Sequence, residues 1–221
     1  MNKFFLFKNF KIIVIMFFVF FYQILFPVTF KYNTGENLVQ KIRDEEKQEK
    51  LIKSVLDAIR GHNNKFVRFY LATKDNINNR EKIKDQFANR KEGVYGVNLD
   101  EALLFQGNGE LIDVNAKTKD GYTPIIVAIE AKNNEILKLL IENGADLYEK
   151  HPIFNRTTLG TAAYYENAEA VEILLKKDAR LANVGSDADG WTPLQDATLK
   201  ANSRIVKMLL EHGANPTITD K

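Results

Sequence analysis

Between Asp120 and Asp146 the chain reads DGYTPIIVAIEAKNNEILKLLIENGAD, with apolar residues recurring at helical spacing. Ile125, Ala128 and Ile129 share one face of a first predicted helix. Ile136, Leu137, Leu139, Leu140 and Ile141 belong to a second. The residues between them punctuate in the same sense. Asp120-Gly121 predicts a tight turn, Thr123 a hydroxyl cap, and Pro124 the first helical position, where a missing N–H costs nothing. Gly144 stands where a left-handed residue ends a helix. The unit reads as turn, helix, loop, helix.

The same pattern recurs along the chain. A shift of 34 residues carries it onto Thr157, Leu159, Ala162, Ile173, Leu174 and Ala179. A shift of 69 carries it onto Asp189-Gly190-Trp191-Thr192-Pro193-Leu194 and pairs Ala128 with Ala197, Leu140 with Leu209 and Gly144-Ala145 with Gly213-Ala214. Backwards by 70, Ala128 falls on Ala58 and Leu139-Leu140 on Phe69-Tyr70. Seventy is two steps of 35, which predicts one unit between; a shift of 35 finds Leu104-Phe105 and Asn108-Gly109 there.

The Thr-Pro turn, the paired leucines and the Gly-Ala-Asp ending resemble ankyrin repeats. That resemblance implies an all-α ankyrin-repeat solenoid of stacked helix–turn–helix units with short β-hairpin loops, preceded by one N-terminal hydrophobic helix. The expected organisation is a membrane anchor or signal segment at 1–31, a polar linker at 32–48 and a repeat domain at 49–221. Its repeats are placed at 49–78, 79–114 (degenerate), 115–148, 149–183 and 184–216. No such pair buries its apolar stripe alone, so neighbours must stack. The family histidine of the first helix is replaced by Ile126, Gly160 and Gln195, which removes a usual hydrogen-bond network. The fourth repeat has Thr157-Thr158 for Thr-Pro, Asn155 at the hairpin glycine and Asp178 at the final one. It is expected to be the least regular of the three clear repeats.

Ahead of the repeats, Ile12–Phe30 runs without a formal charge, and Lys3, Lys8 and Lys11 precede it. At about 1.5 Å per residue such a helix would span roughly a hydrocarbon core. No small-residue cleavage pattern follows, so an uncleaved anchor with a cytoplasmic N-terminus is the preferred reading. A cleaved signal leading to secretion or the periplasm is the alternative. A buried core helix is the third.

Charge is nearly balanced, with 31 Lys and Arg against 29 Asp and Glu, so no nucleic-acid partner is expected. Without cysteine the chain has neither disulfides nor Cys-based metal sites. His62, His151 and His212 show no metal-ligand spacing and are read as structural or surface residues. Gly107-Asn108-Gly109 lacks the Gly-Lys-Ser/Thr sequel of a phosphate loop. No catalytic, cofactor or metal residue is nominated, and the chain is expected to act as a monomeric binding protein rather than an enzyme.

The resemblance places the binding face on the hairpin tips and the ends of the first helices, a concave surface. Lys119, Asp120, Tyr122, Arg156, Asp189 and Trp191 occupy tips; Glu130, Tyr164, Tyr165, Leu199 and Lys200 occupy helix ends. Trp191 is the expected main anchor, because tryptophan and tyrosine are enriched among interface residues that carry the binding energy. The partner is an unidentified protein, with the membrane engaged through the N-terminal segment.

Overall fold

The computed structural model describes residues 33–73, 111–187 and 189–219, with side chains from Leu38 onward. The expected anchor and most of the degenerate repeat lie outside the described residues. The chain divides into two units, Met1–Gln48 and Glu49–Lys221. The described part of the first is helical and polar, with Gln40 donating to Asp44 at 2.9 Å. Among the described residues no helix is long and apolar enough to cross a membrane.

Helix α1 spans Asn33–Arg60, and its later turns bury Leu51, Val55, Leu56 and Ile59, a stripe at helical spacing. It pairs with α2, Asn64–Tyr70. The next pair is α3, Pro124–Glu130, and α4, Asn134–Glu142. Then come α5, Thr158–Tyr164, with α6, Ala168–Lys177, and α7, Pro193–Leu199, with α8, Ser203–Glu211. Among the described residues there are no strands, only isolated bridges at Leu71–Ile112 and Lys150–Thr157. The expected hairpin loops are tight turns without named strands, in which Thr118 N donates to Tyr122 O, His151 N to Arg156 O and Ser186 N to Trp191 O, and Gly121 N, Asn155 N and Gly190 N donate back to Thr118 O, His151 O and Ser186 O.

One device recurs at every second helix. Asn63, Asn133, Asn167 and Asn202 each cap it by accepting from the backbone N–H three residues on. The side-chain amides of the middle two also reach the preceding pair: Asn133 donates to Ile59 O at 3.1 Å and Asn167 to Ile129 O at 3.2 Å. A buried cap thus doubles as the stitch between neighbours. Gly121 and Gly144 take φ of +85° and +89°, the left-handed geometry expected of them.

Three expectations need correction. First, the first pair stacks directly on α3–α4. Arg68 and Asn64 bond Glu135 at 2.8 and 2.6 Å, and Asn133 bonds Asn64 at 2.7 Å. Asn134 and Asn167 make the equivalent contact at 2.9 Å over half that sequence separation. The described first pair and α3–α4 are thus in direct contact. Leu71 and Ile112 lie side by side, with Ala72 N donating to Ile112 O at 2.7 Å.

Second, Thr123 does not cap α3; its hydroxyl is buried without a hydrogen bond. Thr157 and Thr192 do cap, and Gln195 returns the bond to Thr192 N at 2.7 Å, a reciprocal arrangement that the apolar Ile126 cannot make. Third, α3 has no single apolar face, since Ile125 through Ile129 are all enclosed between neighbouring pairs.

The fourth repeat is irregular at Asp178, as expected. This residue keeps an extended backbone, φ −153°, and caps a 3₁₀ turn, Ala179–Asn183, where the third and fifth repeats turn on Gly144 and Gly213. Asn155 takes the left-handed geometry at φ +53°.

Candidate interaction surface

The tips and first-helix ends of the last three pairs carry a continuous set of rings and charges. His151 sits at its centre, fully buried. Its Nδ1 accepts from Ile153 N and Phe154 N at 3.1 and 3.2 Å, so the ring proton lies on Nε2, which donates to Glu130 at 2.8 Å. Tyr165 donates its hydroxyl to the same Glu130 oxygen at 2.9 Å. Burial pushes the Glu130 carboxyl up, but the hydrogen bonds from His151 and Tyr165 outweigh it and hold the group below its ordinary value. Burial and this bond raise the Tyr165 hydroxyl to about 12.

Rings continue outward from the histidine. Tyr122 meets it edge-on with centroids 5.6 Å apart, and Phe154 lies tilted against it at 4.7 Å. Phe154 neighbours Tyr164 at 6.3 Å, and Tyr164 neighbours Tyr165 at 5.6 Å. Two cations cover Tyr164: the Arg156 guanidinium at 4.0 Å and the Lys200 ammonium at 3.9 Å from its centroid. Arg156 also binds the buried Asp196 carboxylate at 2.7 Å. Burial nevertheless leaves Asp196 above its ordinary value, with Arg156 and the Trp191 indole pulling it down. That indole N–H is buried and makes no well-formed hydrogen bond, although it is close enough to favour the carboxylate electrostatically.

The outer rim is apolar. Ile153 is 68% exposed, Leu199 60% and Phe154 48%. Large exposed side chains beside packed rings and two cations are what a protein partner can bury. Among the described residues no group of His, Asp and Glu could hold a metal ion.

The comparisons bear on the same residues. A family described as ankyrin repeats (3 copies) matches residues 148–220, and one described as ankyrin repeats (many copies) matches 108–152. Together they span just over half of the chain. The chain belongs to the ankyrin-repeat family. It is 31% identical over 112 residues to a Fowlpox virus chain named ankyrin repeat protein FPV031, covering 49% of this chain and 32% of that one. It is 32% identical over 109 residues to "Probable 26S proteasome regulatory subunit p28" of Saccharomyces cerevisiae, covering 49% and 47%. Against "Tyrosine-protein kinase HTK16" of Hydra vulgaris identity is 27% over 103 residues, covering 47% and 14%. The match spans less than half the length of each of these relatives. Ankyrin repeats mark a protein–protein interaction module.

Within this ankyrin array, the structure brings together Tyr122, Glu130, Arg156, Tyr164, Tyr165 and Lys200, with Leu199 on their rim. Three others stand apart. Lys119 and Asp120 turn to α1, where Glu49 accepts from Lys119 N at 3.1 Å and Lys53 lies 3.6 Å from Asp120. Asp189 serves its own turn, accepting from Trp191 N at 3.0 Å and bonding Ser186. Trp191 is half-buried, with its indole N–H covered beside the Asp196 carboxylate. Sequence reasoning missed His151, Ile153, Phe154 and Asp196. Only the tip sequence HPIF, with apolar residues at a turn, signalled any of them.

Two consequences are testable. Gly160 stands in the family-histidine position, and a Cβ there would fall 2.8 Å from Asp196 Oδ2. Gly160→Ala should therefore displace that carboxylate from Arg156 and lower stability by about 1–3 kcal/mol in denaturant unfolding. Glu130 has a lowered folded value, so its contribution is present above the ordinary 4.5 and lost as pH falls through the folded value. Acid titration of unfolding should show that loss below pH 4.5 in the wild type, and a smaller one in Glu130→Gln.

Proposed function

We propose that this protein is a membrane-tethered adaptor that binds a protein partner on the tip-and-inner-helix face between Tyr122 and Lys200. What carries this reading is the exposed rim of Ile153, Phe154 and Leu199 around the doubly covered Tyr164. The buried His151–Glu130–Tyr165 network fixes the tip, so the rings are held in place before a partner arrives, which lowers the ordering cost of binding. Binding alone accounts for these groups, and the reading includes no catalysis. Phe154 and Tyr164 serve as anchors.

The uncharged run at Ile12–Phe30 supports the tether. Cell fractionation tests it. A full-length species in the bilayer agrees; a soluble form lacking about the first 30 residues replaces the anchor with secretion.

The binding test captures partners with the full-length chain in mild detergent and identifies them by mass. Phe154→Ala should weaken binding by about 2 kcal/mol, near thirtyfold in affinity, if Phe154 is an energetic centre. Lys138→Ala, on a second helix, serves as the control. Equal affinity of the two folded variants would place the partner elsewhere.

A further inference from the structure

Two cations of the tip face hold donors that the protein itself does not use. Arg156 gives its Nε–H to Asp196 at 2.7 Å; its terminal nitrogens have no acceptor among the described residues, yet they are not enclosed. The Lys200 ammonium rests on the Tyr164 ring at 3.9 Å, forms no ion pair among the described residues and is likewise open to solvent. With the Arg156 guanidinium 4.0 Å from the same ring centroid, the two charges stand within about 8 Å of each other. Like charges that close repel, and the face of one tyrosine offsets this only in part.

No nearby carboxylate answers both cations. Glu130 accepts from His151 and Tyr165, and Asp196, with 2% of its side chain exposed, is held by Arg156. Glu166, exposed on the loop after α5, pairs with neither cation. Apolar surface adjoins them: Leu199 precedes Lys200 and is 60% exposed, and the half-exposed Phe154 ring lies 5.2 Å from the Arg156 guanidinium.

We propose that the partner segment is an acidic peptide, whose Asp or Glu carboxylate bridges Arg156 and Lys200 over Tyr164 while an apolar neighbour covers Leu199 and Phe154. The proposal rests on the tip face being the binding surface and names the chemistry that fits it. A carboxylate there accepts charge-assisted bonds from both cations and relieves their repulsion. Glu130 and Asp196 already balance the two positive charges, so the site suits a single added negative charge better than a doubly charged phosphate. The apolar rim suits the side chain that follows it in a peptide.

The probe is a fluorescein-labelled peptide of alternating Glu and Leu, titrated with the full-length chain in mild detergent and read by fluorescence anisotropy. Gln–Leu and phosphoserine–Leu peptides of equal length are measured beside it. The wild type should bind the Glu–Leu peptide about tenfold more tightly than the Gln–Leu peptide at low salt, and the gap should narrow at high salt. Lys200→Gln should remove most of that preference, while Lys200→Arg and Lys138→Gln keep it. Phe154→Ala should weaken both peptides alike. A wild type that does not prefer Glu over Gln, or a preference that survives Lys200→Gln in a folded variant, overturns the acidic reading. If Phe154→Ala still weakens both peptides, the tip face itself stands; if neither substitution alters any peptide, the tip face falls with it. Tighter binding of the phosphoserine peptide through Lys200 would overturn the choice of a carboxylate.

Discussion

Replacing Leu140 by alanine is expected to lower the unfolding free energy by about 2–5 kcal/mol. Leu140 is fully buried on α4, and its neighbours Ile136 and Leu137 are buried with it. The truncation removes apolar area and leaves a cavity between stiff helices that cannot collapse into it. α4 touches both α2 and α6, so the loss falls on two interfaces of a stacked array, where stability is largely a sum over neighbours. Denaturant unfolding of the full-length chain, followed by circular dichroism, measures it. An unchanged midpoint would mean that Leu140 does not lie between pairs.

Arg156→Ala is expected to cost about 3–5 kcal/mol, because it strands a buried carboxylate. Asp196 has 2% of its side chain exposed and holds Arg156 at 2.7 Å. Without the guanidinium, the burial that already raises the Asp196 carboxyl acts unopposed except for the indole dipole of Trp191. The sign of the pH dependence follows. A carboxyl raised in the folded state favours folding when protonated, so the variant's deficit should shrink as pH falls and grow as pH rises through the folded value. A deficit independent of pH would mean that Arg156 acts by packing on Tyr164 and Phe154 rather than by neutralising Asp196. Arg156→Lys should recover little, since an ammonium cannot both stack on the ring and aim at the carboxylate as a planar fork does.

The three clear repeats were legible because their signals are local: Thr-Pro for a helix start, paired leucines for a core stripe, glycine for a left-handed stop. Where these letters changed, their physical meaning predicted the outcome, as at Asn155 and Asp178. Stacking order was not legible. Self-comparison counts residues, and a shift of 70 reads as two units whether or not the middle one stands in the array. Contact between Arg68 and Glu135 depends on surfaces meeting, which no periodicity records.

The candidate site was half legible for a similar reason. Tyr122, Glu130, Tyr164 and Lys200 could be placed by register, since equivalent positions share a face. His151 could not, because its role arises from Glu130, which stands on the preceding helix pair, and from two backbone donors of its own tip. Asp196 looked like one helix carboxylate among many, and only the small Gly160 in front of it opens room for Arg156. The lost family histidine thus does not simply remove a hydrogen-bond network. At Gln195 a reciprocal cap replaces it, and at Gly160 an ion pair uses the vacated space.

The most direct test of the central claim, that the partner docks on the tip face, is site-directed photocross-linking of the full-length chain in a native cell extract. A photoreactive phenylalanine analogue replaces Phe154 in one preparation and Lys138, on the second-helix face, in another. The account predicts a discrete partner adduct from position 154 and none from 138. An adduct from 138 alone, or none from either while the partner still co-purifies, would contradict it.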